Sequence, residues 1–327
     1  MKTDFRFTEK GFRGIKSMEW IYFHKPGFFT TIQGIGRSGY SEFGIPGGGS
    51  VDFLSSVISN YLSYSGCDNP VFEFTLEGPT IEFNFDSIFS ITGANMHPKV
   101  NDLPVEMYKT LFVKKGDVLS FGKVSRGFRT YLSINSKLNI AKFLGSFSTY
   151  TNANYGGYRG RQIKAGDYLY YESASVGDKR IRKAKKDSVD DLLKAGNVLR
   201  IIEGPEYSAF ESNSLKRFFN SEYSVSKKLN RMGIRLEGER LESSVTNISS
   251  SAVLPGIIQV PGDGLPIILL ADCQTTGGYP RLGKIIDADM IVASQLKPID
   301  RIVFKKIPYK TAERLSKRLR KHINKYI

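Results

Sequence analysis

Cysteine and histidine are scarce in this chain, with two cysteines, Cys67 and Cys273, and three histidines in 327 residues. Two cysteines cannot make a disulfide framework, and three scattered histidines supply no metal-ligand spacing, so a zinc site is not expected. No run approaches the roughly 20 apolar residues that a membrane helix needs. The polar, basic start, residues 1–17, has no apolar stretch of the kind a secretory signal carries, and the expected location is the cytoplasm. The chain also lacks a Gly-x-x-x-x-Gly-Lys-Ser/Thr loop, whose backbone N–H groups would cradle nucleotide phosphates.

Charge is plentiful and one-sided: 47 lysines and arginines against 32 acids give +15. Such a surplus suits a phosphate-rich partner, but it sits in the N-terminal extension, in residues 179–186 and in residues 305–325. These are edges and linkers. In the tail, Leu315, Leu319 and Ile323 stand four apart, an apolar stripe on a basic helix that docks on its own domain and leaves its charges in water. No RNA-reading module is recognisable, so neither nucleic acid nor a membrane is expected as partner.

A chain of this length exceeds what one hydrophobic core usually serves, which predicts two domains. Four segments share one plan, a turn followed by a strand: Lys115-Gly-Asp-Val-Leu-Ser-Phe121, Ala165-Gly-Asp-Tyr-Leu-Tyr-Tyr171, Ala195-Gly-Asn-Val-Leu-Arg-Ile201 and Pro298-Ile-Asp-Arg-Ile-Val-Phe304. Further strands are predicted over 71–76, 80–85, 88–92 and 129–134, rich in Phe, Ile, Val and Thr. Many short, closely spaced strands indicate sandwiches or barrels. Helices are few. Asp52 reads as the N-cap of one that carries Phe53, Leu54, Val57, Ile58, Tyr61 and Leu62 on one face. Pro205 and Glu206 open a second, with Tyr207, Phe210, Phe218 and Phe219 turned inward; a third covers 289–296, and the tail is the fourth. Residues 177–196 read as a junction with a mobile turn, a basic run and a short helix around 189–193, and Glu77-Gly-Pro79 recurs beyond it as Glu203-Gly-Pro205. The expected division is a basic extension (1–18), an N-terminal domain (19–198) and a C-terminal domain (199–327) ending in the basic helix.

The densest chemistry lies in Gln259-Val-Pro-Gly-Asp-Gly-Leu-Pro266 and Ala271-Asp-Cys-Gln-Thr-Thr-Gly-Gly-Tyr-Pro280, on either side of an apolar strand at 267–270. An all-apolar strand is buried on both faces, so the polar groups collect at its ends, where Gly and Pro turns fix their directions. Gln259, Gln274, Thr275 and Thr276 offer neutral donors and acceptors for an amide or lactam. Gly277 and Gly278 permit close approach and can present N–H groups to an oxyanion. Asp263 and Asp272 are candidates for a general base or a magnesium ligand, although an Asp beside Gly also bonds to nearby backbone in a turn. Arg231 has planar donors suited to a carboxylate or phosphate, or else pairs with Glu237. Both threonines also read as turn caps. Cys273 has no identifiable base and is read as a small buried residue.

These phrases also carry a resemblance. Lys25-Pro-Gly-Phe-Phe-Thr-Thr-Ile-Gln33, Gly36-Arg37-Ser-Gly-Tyr40, Gly44-Ile-Pro46, Asp52, Asn230-Arg-Met-Gly-Ile-Arg-Leu-Glu-Gly238, Pro255-Gly-Ile-Ile-Gln259, the motif just described, Ala288-Asp289 and Gln295-Leu296 match, in order and spacing, the biotin-dependent carboxyltransferase-like family. That family includes the C-type subunit of 5-oxoprolinase, the kinase-inhibitor antagonist KipA and the carboxyltransferase part of urea carboxylase. The resemblance spans roughly residues 20–305 and implies a mainly β fold of two cyclophilin-like β-barrel domains with a few short helices. It implies the C-type subunit of an ATP-dependent 5-oxoprolinase that opens 5-oxo-L-proline to L-glutamate. Two partner subunits are implied with it, one B-type (KipI-like) and one A-type, and ATP and Mg2+ held here or shared with a partner. Arg231 and the turn from Gln274 to Tyr279 would hold substrate, with Asp263 or Asp272 near the metal. Gln33, Arg37 and Asp52 are the first-half candidates, of which Asp52 is better explained as a helix cap and Arg37 as a ligand residue. The alternatives are a carboxyltransferase acting on a urea-like amide, with biotin supplied in trans because no Met-Lys-Met phrase is present, and a KipA-like regulatory binding protein. The chain departs from the family pattern at Gln33-Gly34, Gly48-Gly49-Ser50, Asn135-Ser136 and Gly145-Ser-Phe-Ser-Thr149, all in the first half.

Overall fold

The computed structural model describes residues 18–172, 177, 179–184 and 197–327. In chain order the first half forms strands β1 (Glu19–Lys25), β2 (Phe29–Gln33), β3 (Val71–Thr75), β4 (Thr80–Phe83), β5 (Ser87–Asn95), β6 (Lys99–Val100), β7 (Leu103–Pro104), β8 (Leu111–Val113), β9 (Val118–Ser120), β10 (Arg126–Ile134), β11 (Lys137–Leu138) and β12 (Tyr168–Glu172). Helix α1 (Phe53–Leu62) lies between β2 and β3. The strands make two sheets, ordered β11-β12-β1-β4-β9-β6-β7 and β2-β3-β10-β5-β8. Both sheets feed one apolar core, to which β1 gives Ile21 and Phe23, β3 Phe72 and Phe74, β4 Phe83, and β10 Leu132.

The second half contains β13 (Val198–Glu203), α2 (Ser212–Asn220), β14 (Tyr223–Leu229), β15 (Gly233–Glu237), β16 (Ser251–Ala252), β17 (Ile257–Gln259), β18 (Ile267–Leu269), β19 (Thr276–Gly277), β20 (Arg281–Ile285), α3 (Asp287–Ser294), β21 (Arg301–Lys306) and α4 (Tyr309–Ile323). Seven of these strands close into a barrel, β13-β20-β17-β18-β15-β14-β21, while β16 and β19 pair on their own. The fold is mainly β, as expected.

Three of the four turn–strand units share one mechanism. Strands β9, β12, β13 and β21 each begin on the residue after the turn's Asp or Asn. Asp117, Asp167 and Asp300 each accept, through Oδ2, the backbone N–H three residues earlier, at 2.7, 2.7 and 3.0 Å. Gly116 and Gly166 supply the left-handed backbone at φ +91° and +87°, and Ile299 occupies the same place in the fourth unit at +71°. A β-branched residue in that region is strained, so the aspartate bond is the stronger determinant of this turn.

Pro205 and Glu206 lead not into a helix but into a single 3-10 turn, Tyr207–Ala209, and α2 starts only at Ser212. The Glu206 carboxylate is clamped by Arg281, whose Nη2 and Nε donate at 2.6 and 2.8 Å, and this fixes the turn in place of a continuous helix. The third helix lies two residues earlier than its predicted start and end. The tail stripe is used as expected: Leu315 and Leu319 pack on Ile286 and Ala288, while Leu319 and Ile323 reach Leu54, Ile58 and Leu62 of α1. Helix α4 therefore touches both halves. The helix expected around 189–193 and most of the N-terminal extension lie outside the described residues.

Candidate functional site

Where the halves meet, a set of buried ions converges on Arg231. This residue stands in the β14–β15 turn, which Asn230 shapes by accepting the Met232 and Gly233 N–H groups at 2.8 and 3.2 Å. The Asp272 N–H donates to the Arg231 carbonyl at 2.9 Å, fixing the two chain segments together. The Arg231 guanidinium grips the Asp272 carboxylate with Nε at 2.8 Å and Nη2 at 2.9 Å. It also crosses to the first half, donating from Nη1 to Glu73 and from Nη2 to the Gly49 carbonyl at 2.6 Å. Glu73, at the centre of β3, is fully buried. Its Oε2 accepts from the Val51 N–H at 3.0 Å and the Tyr131 hydroxyl at 2.8 Å, and Arg129 Nε lies 3.9 Å from its Oε1.

The network continues toward the start of α1. Gln295, just past α3, accepts the Phe128 and Arg129 N–H groups on Oε1 at 2.9 Å each and donates from Nε2 to Asp52 at 2.7 Å. Asp52 caps α1 by accepting the Ser55 N–H at 3.0 Å, the role expected of it. Burial and pairing act differently along this chain of groups. Burial alone would raise the Glu73 carboxyl, but Arg231 and Arg129 outweigh it and hold it below the usual carboxylate range. Burial raises Asp52, despite hydrogen bonds from Gln295 and Ser55. Burial also lowers Arg129, whereas Asp272 and Glu73 reverse that effect on Arg231 and keep it firmly charged.

Arg37 is a third buried cation at this junction, beside Arg231 and Arg129, and it is differently placed. Its Nη2 donates to the Ser148 carbonyl, and its guanidinium lies over the Tyr155 ring at 4.8 Å. Its Nε and Nη1, and the Tyr155 hydroxyl, are buried with no hydrogen-bond partner. Burial lowers its pKa, and Tyr155 and Asp272 offset part of that. Gly48, at φ +64°, lies between the two charges: a Cβ there would sit 3.2 Å from Arg37 Nη1 and 3.6 Å from Asp272 Oδ1. The Gly48 N–H donates to the Ala271 carbonyl at 3.1 Å, tying this loop to the second-half motif. Gly156 is equally constrained, since a Cβ there would lie 2.5 Å from Arg37 Nη2. Gln33 is buried nearby in chain terms; its Nε2 donates to Thr31 and to the Thr149 carbonyl, and its Oε1 has no partner.

The glutamines of the second-half motif brace one another, and its threonines are held by backbone bonds to the neighbouring segment. Gln274 Nε2 donates to Gln259 Oε1 at 3.1 Å, and Gln259 Nε2 to the Tyr279 carbonyl at 3.4 Å. A Cβ at Gly277 would sit 2.4 Å from Gln259 Nε2, so a larger residue there would displace the Gln259 amide. Thr276 and Gly277 pair with β16, and the Thr275 and Gly278 carbonyls accept the Val253 and Ile248 N–H groups at 3.0 and 2.8 Å. Tyr279 is exposed. Cys273 is buried and its thiol is pushed up to about 12 by that burial, so it is no nucleophile at neutral pH.

Asp263 belongs to a separate place. It pairs with Arg235 and accepts the Leu265 N–H at 3.2 Å, sharing no partner with the Arg231 network. The pair is partly exposed, with side chains 29% and 38% accessible. Exposed pairs contribute about 0–1 kcal/mol, so Asp263→Asn is expected to change unfolding free energy by less than about 1 kcal/mol and to leave turnover within twofold; a denaturant titration and an activity assay check this. The described residues hold no cluster of three His, Cys, Asp or Glu side chains, and Asp263 and Asp272 are both held by arginine. These donors do not make a magnesium site by themselves.

Arg231 pairs with Asp272 and Glu73 rather than with Glu237. Sequence reasoning did not single out Glu73, Arg129, Tyr131 or Tyr155. One signal was available for Glu73, an acid at the centre of the otherwise uncharged strand Val71-Phe-Glu-Phe-Thr75, because a buried charge requires a partner.

Comparison with known proteins sets this geometry in context. A family model described as the carboxyltransferase domain, subdomain A and B, matches residues 43–306. The C-type subunit of 5-oxoprolinase from Escherichia coli (strain K12) is 36% identical over 277 residues, covering 83% of this chain and 86% of that protein. Its counterpart in Haemophilus influenzae is 32% identical over 290 residues, 88% of this chain and 92% of that one. Urea amidolyase of Saccharomyces cerevisiae is 30% identical over 89% of this chain, which spans only 17% of that enzyme. Among solved structures, Kluyveromyces lactis urea amidolyase superposes with a TM-score of 0.86 at 28% identity, over 96% of this chain and 20% of that one.

Proposed function

The chain belongs to the family of carboxyltransferase domains of subdomain A and B, and from that premise we propose that it serves as the C-type subunit of an ATP-dependent 5-oxoprolinase. The observation that carries this reading is the end-to-end likeness to the E. coli protein, 86% of which is taken in, against 17% of the yeast urea amidolyase. In this reading ATP phosphorylates the oxygen of the lactam carbonyl. ADP leaves, water adds to that carbon, and the ring C–N bond breaks with the nitrogen taking a proton; the glutamyl phosphate so formed is cleaved by a second water to glutamate and phosphate. The step depends on positioning and charge stabilisation more than on a strong nucleophile, which agrees with an inert Cys273.

Two features of the site fit a small ring bearing a carboxylate. Arg37 has buried donors with no protein partner, and a guanidinium is matched to a carboxylate. Arg231, by contrast, has its donors on Asp272, Glu73 and Gly49. Its proposed part is to hold Asp272 in place beside Gly48, with Arg37 on the other side as the substrate ligand. Partners of the A type and the B type would supply the rest of the catalytic apparatus.

The test is reconstitution. The chain purified with its partner subunits is expected to hydrolyse ATP only when 5-oxo-L-proline is added, releasing glutamate in equal amount. No stimulation by 5-oxoproline would remove this assignment. The close structural likeness to urea amidolyase favours one other reading, carboxyl transfer to a urea-like amide; biotin-dependent carboxylation of urea in the same mixture would establish it instead.

A further inference from the structure

A cavity of about 810 Å³ opens between the halves on the far side of the ion network, within the size range of small-molecule sites. Its floor includes Asp52 and Gln295, the end of the network that begins at Arg231. Neither Arg37 nor any residue of the motif between Gln259 and Pro280 lines it. The cavity is therefore distinct from the substrate position proposed above.

Its walls are chemically divided. Pro98, Pro104, Val105 and Met107 make an apolar side, while Lys99, Arg126, Lys183 and Lys297 bring four cations to the lining. The three acids of the lining are already engaged: Asp52 accepts from Gln295 at 2.7 Å and from the Ser55 N–H at 3.0 Å, Glu106 accepts from Lys109 at 2.9 Å, and Asp300 caps the turn at Lys297 at 3.0 Å. Among the described residues none of the four cations is paired with a carboxylate; Lys297 Nζ lies 3.5 Å from the Ser125 carbonyl, reaching from the second half to the first. Four cations with no carboxylate partner among the described residues, beside an apolar wall, suit a ligand with several negative charges at one end and a flat apolar body at the other.

We propose that this cavity binds a nucleoside polyphosphate, with its phosphates on Lys99, Arg126, Lys183 and Lys297 and its base against Pro98, Pro104, Val105 and Met107. The choice of ATP as the nucleotide rests on the function proposed above; the site itself does not. Such binding needs no Gly-rich phosphate loop, because side-chain cations replace the backbone N–H groups. Its affinity falls with added salt, as expected where exposed cations hold phosphates.

The test is equilibrium binding by the full chain, read by calorimetry with ATP, inorganic triphosphate and adenosine as probes. ATP is expected to bind saturably, triphosphate at least tenfold more weakly, and adenosine more weakly still. Lys99→Glu and Arg126→Glu are each expected to weaken ATP binding at least tenfold with unchanged melting temperature. Lys216→Glu, on exposed α2, equalises the charge change and should leave binding as in the parent. ATP binding that is absent, or equal in Lys99→Glu, Arg126→Glu and Lys216→Glu, overturns the proposal. ATP binding without 5-oxoproline-dependent turnover would remove the 5-oxoprolinase reading and leave this site standing; turnover with ATP binding insensitive to both wall variants would do the reverse.

Discussion

Replacing Arg231 by methionine should cost about 3–5 kcal/mol of stability, because it leaves two buried carboxylates, Glu73 and Asp272, without their shared cation. The loss is read from the midpoint and slope of urea unfolding. Adding Glu73→Gln to that variant should recover part of it, since the glutamine removes one unpaired charge while keeping the side chain's shape. A loss below about 1 kcal/mol would show that the pairs are not buried as described. The pH response has a definite sign. Glu73 is lowered by folding, so its contribution is complete above the unfolded glutamate value of about 4.3 and is lost as pH falls through the lower folded value. Asp52 is raised by folding and works in the opposite sense: its contribution is present below the unfolded aspartate value of about 3.9 and is lost as pH rises through the folded one.

Arg37→Ala is expected to lower kcat/KM for 5-oxoproline on the order of 10²–10³-fold in the reconstituted complex, the effect of deleting one member of a desolvated charge pair. Stability should change far less than in the Arg231 variant. The Arg37 side chain makes one hydrogen bond, to the Ser148 carbonyl, and its buried Nε and Nη1 have no hydrogen-bond partner to lose. Steady-state kinetics beside a melting curve separate the two effects. A fall in melting temperature as large as that of Arg231→Met, with kcat/KM unchanged, would give Arg37 a structural role only.

The two arginines show where sequence reading succeeds and where it stops. The Gly36-Arg37 turn and the Asp272 motif were visible as candidates because turn chemistry and residue type are local properties. The pairing of Arg231 was not, since Glu73 is 158 residues away and Asp272 is 41. Local pattern carries no distance of that kind. The strands after Gly-Asp turns, the cap at Asp52 and the docked stripe of α4 were legible for the same reason that the ion network was hidden: each is decided within a few residues.

The departures from the family pattern also gain a spatial meaning. Gly34, residues 48–50 and residues 145–149 are separated in sequence but meet around Arg37. The Gly34 N–H donates to Ser148 Oγ at 3.1 Å, the Ser50 N–H donates to the Gly34 carbonyl at 3.0 Å, and the Ser148 carbonyl holds Arg37 itself. Asn135-Ser136 stands apart, with the Asn135 N–H bonded to the Ile88 carbonyl at 2.7 Å. Three of the four departures thus reshape one contact surface, that of the cation proposed to read the substrate's carboxylate.

The most direct test is discrimination between 5-oxo-L-proline and 2-pyrrolidinone, the same lactam without its carboxylate, in the reconstituted complex. The parent protein is expected to prefer 5-oxoproline by at least about 10²-fold in kcat/KM, and Arg37→Ala to reduce that preference to within about tenfold. An Arg37→Ala complex that retains the parent's full preference would contradict the account.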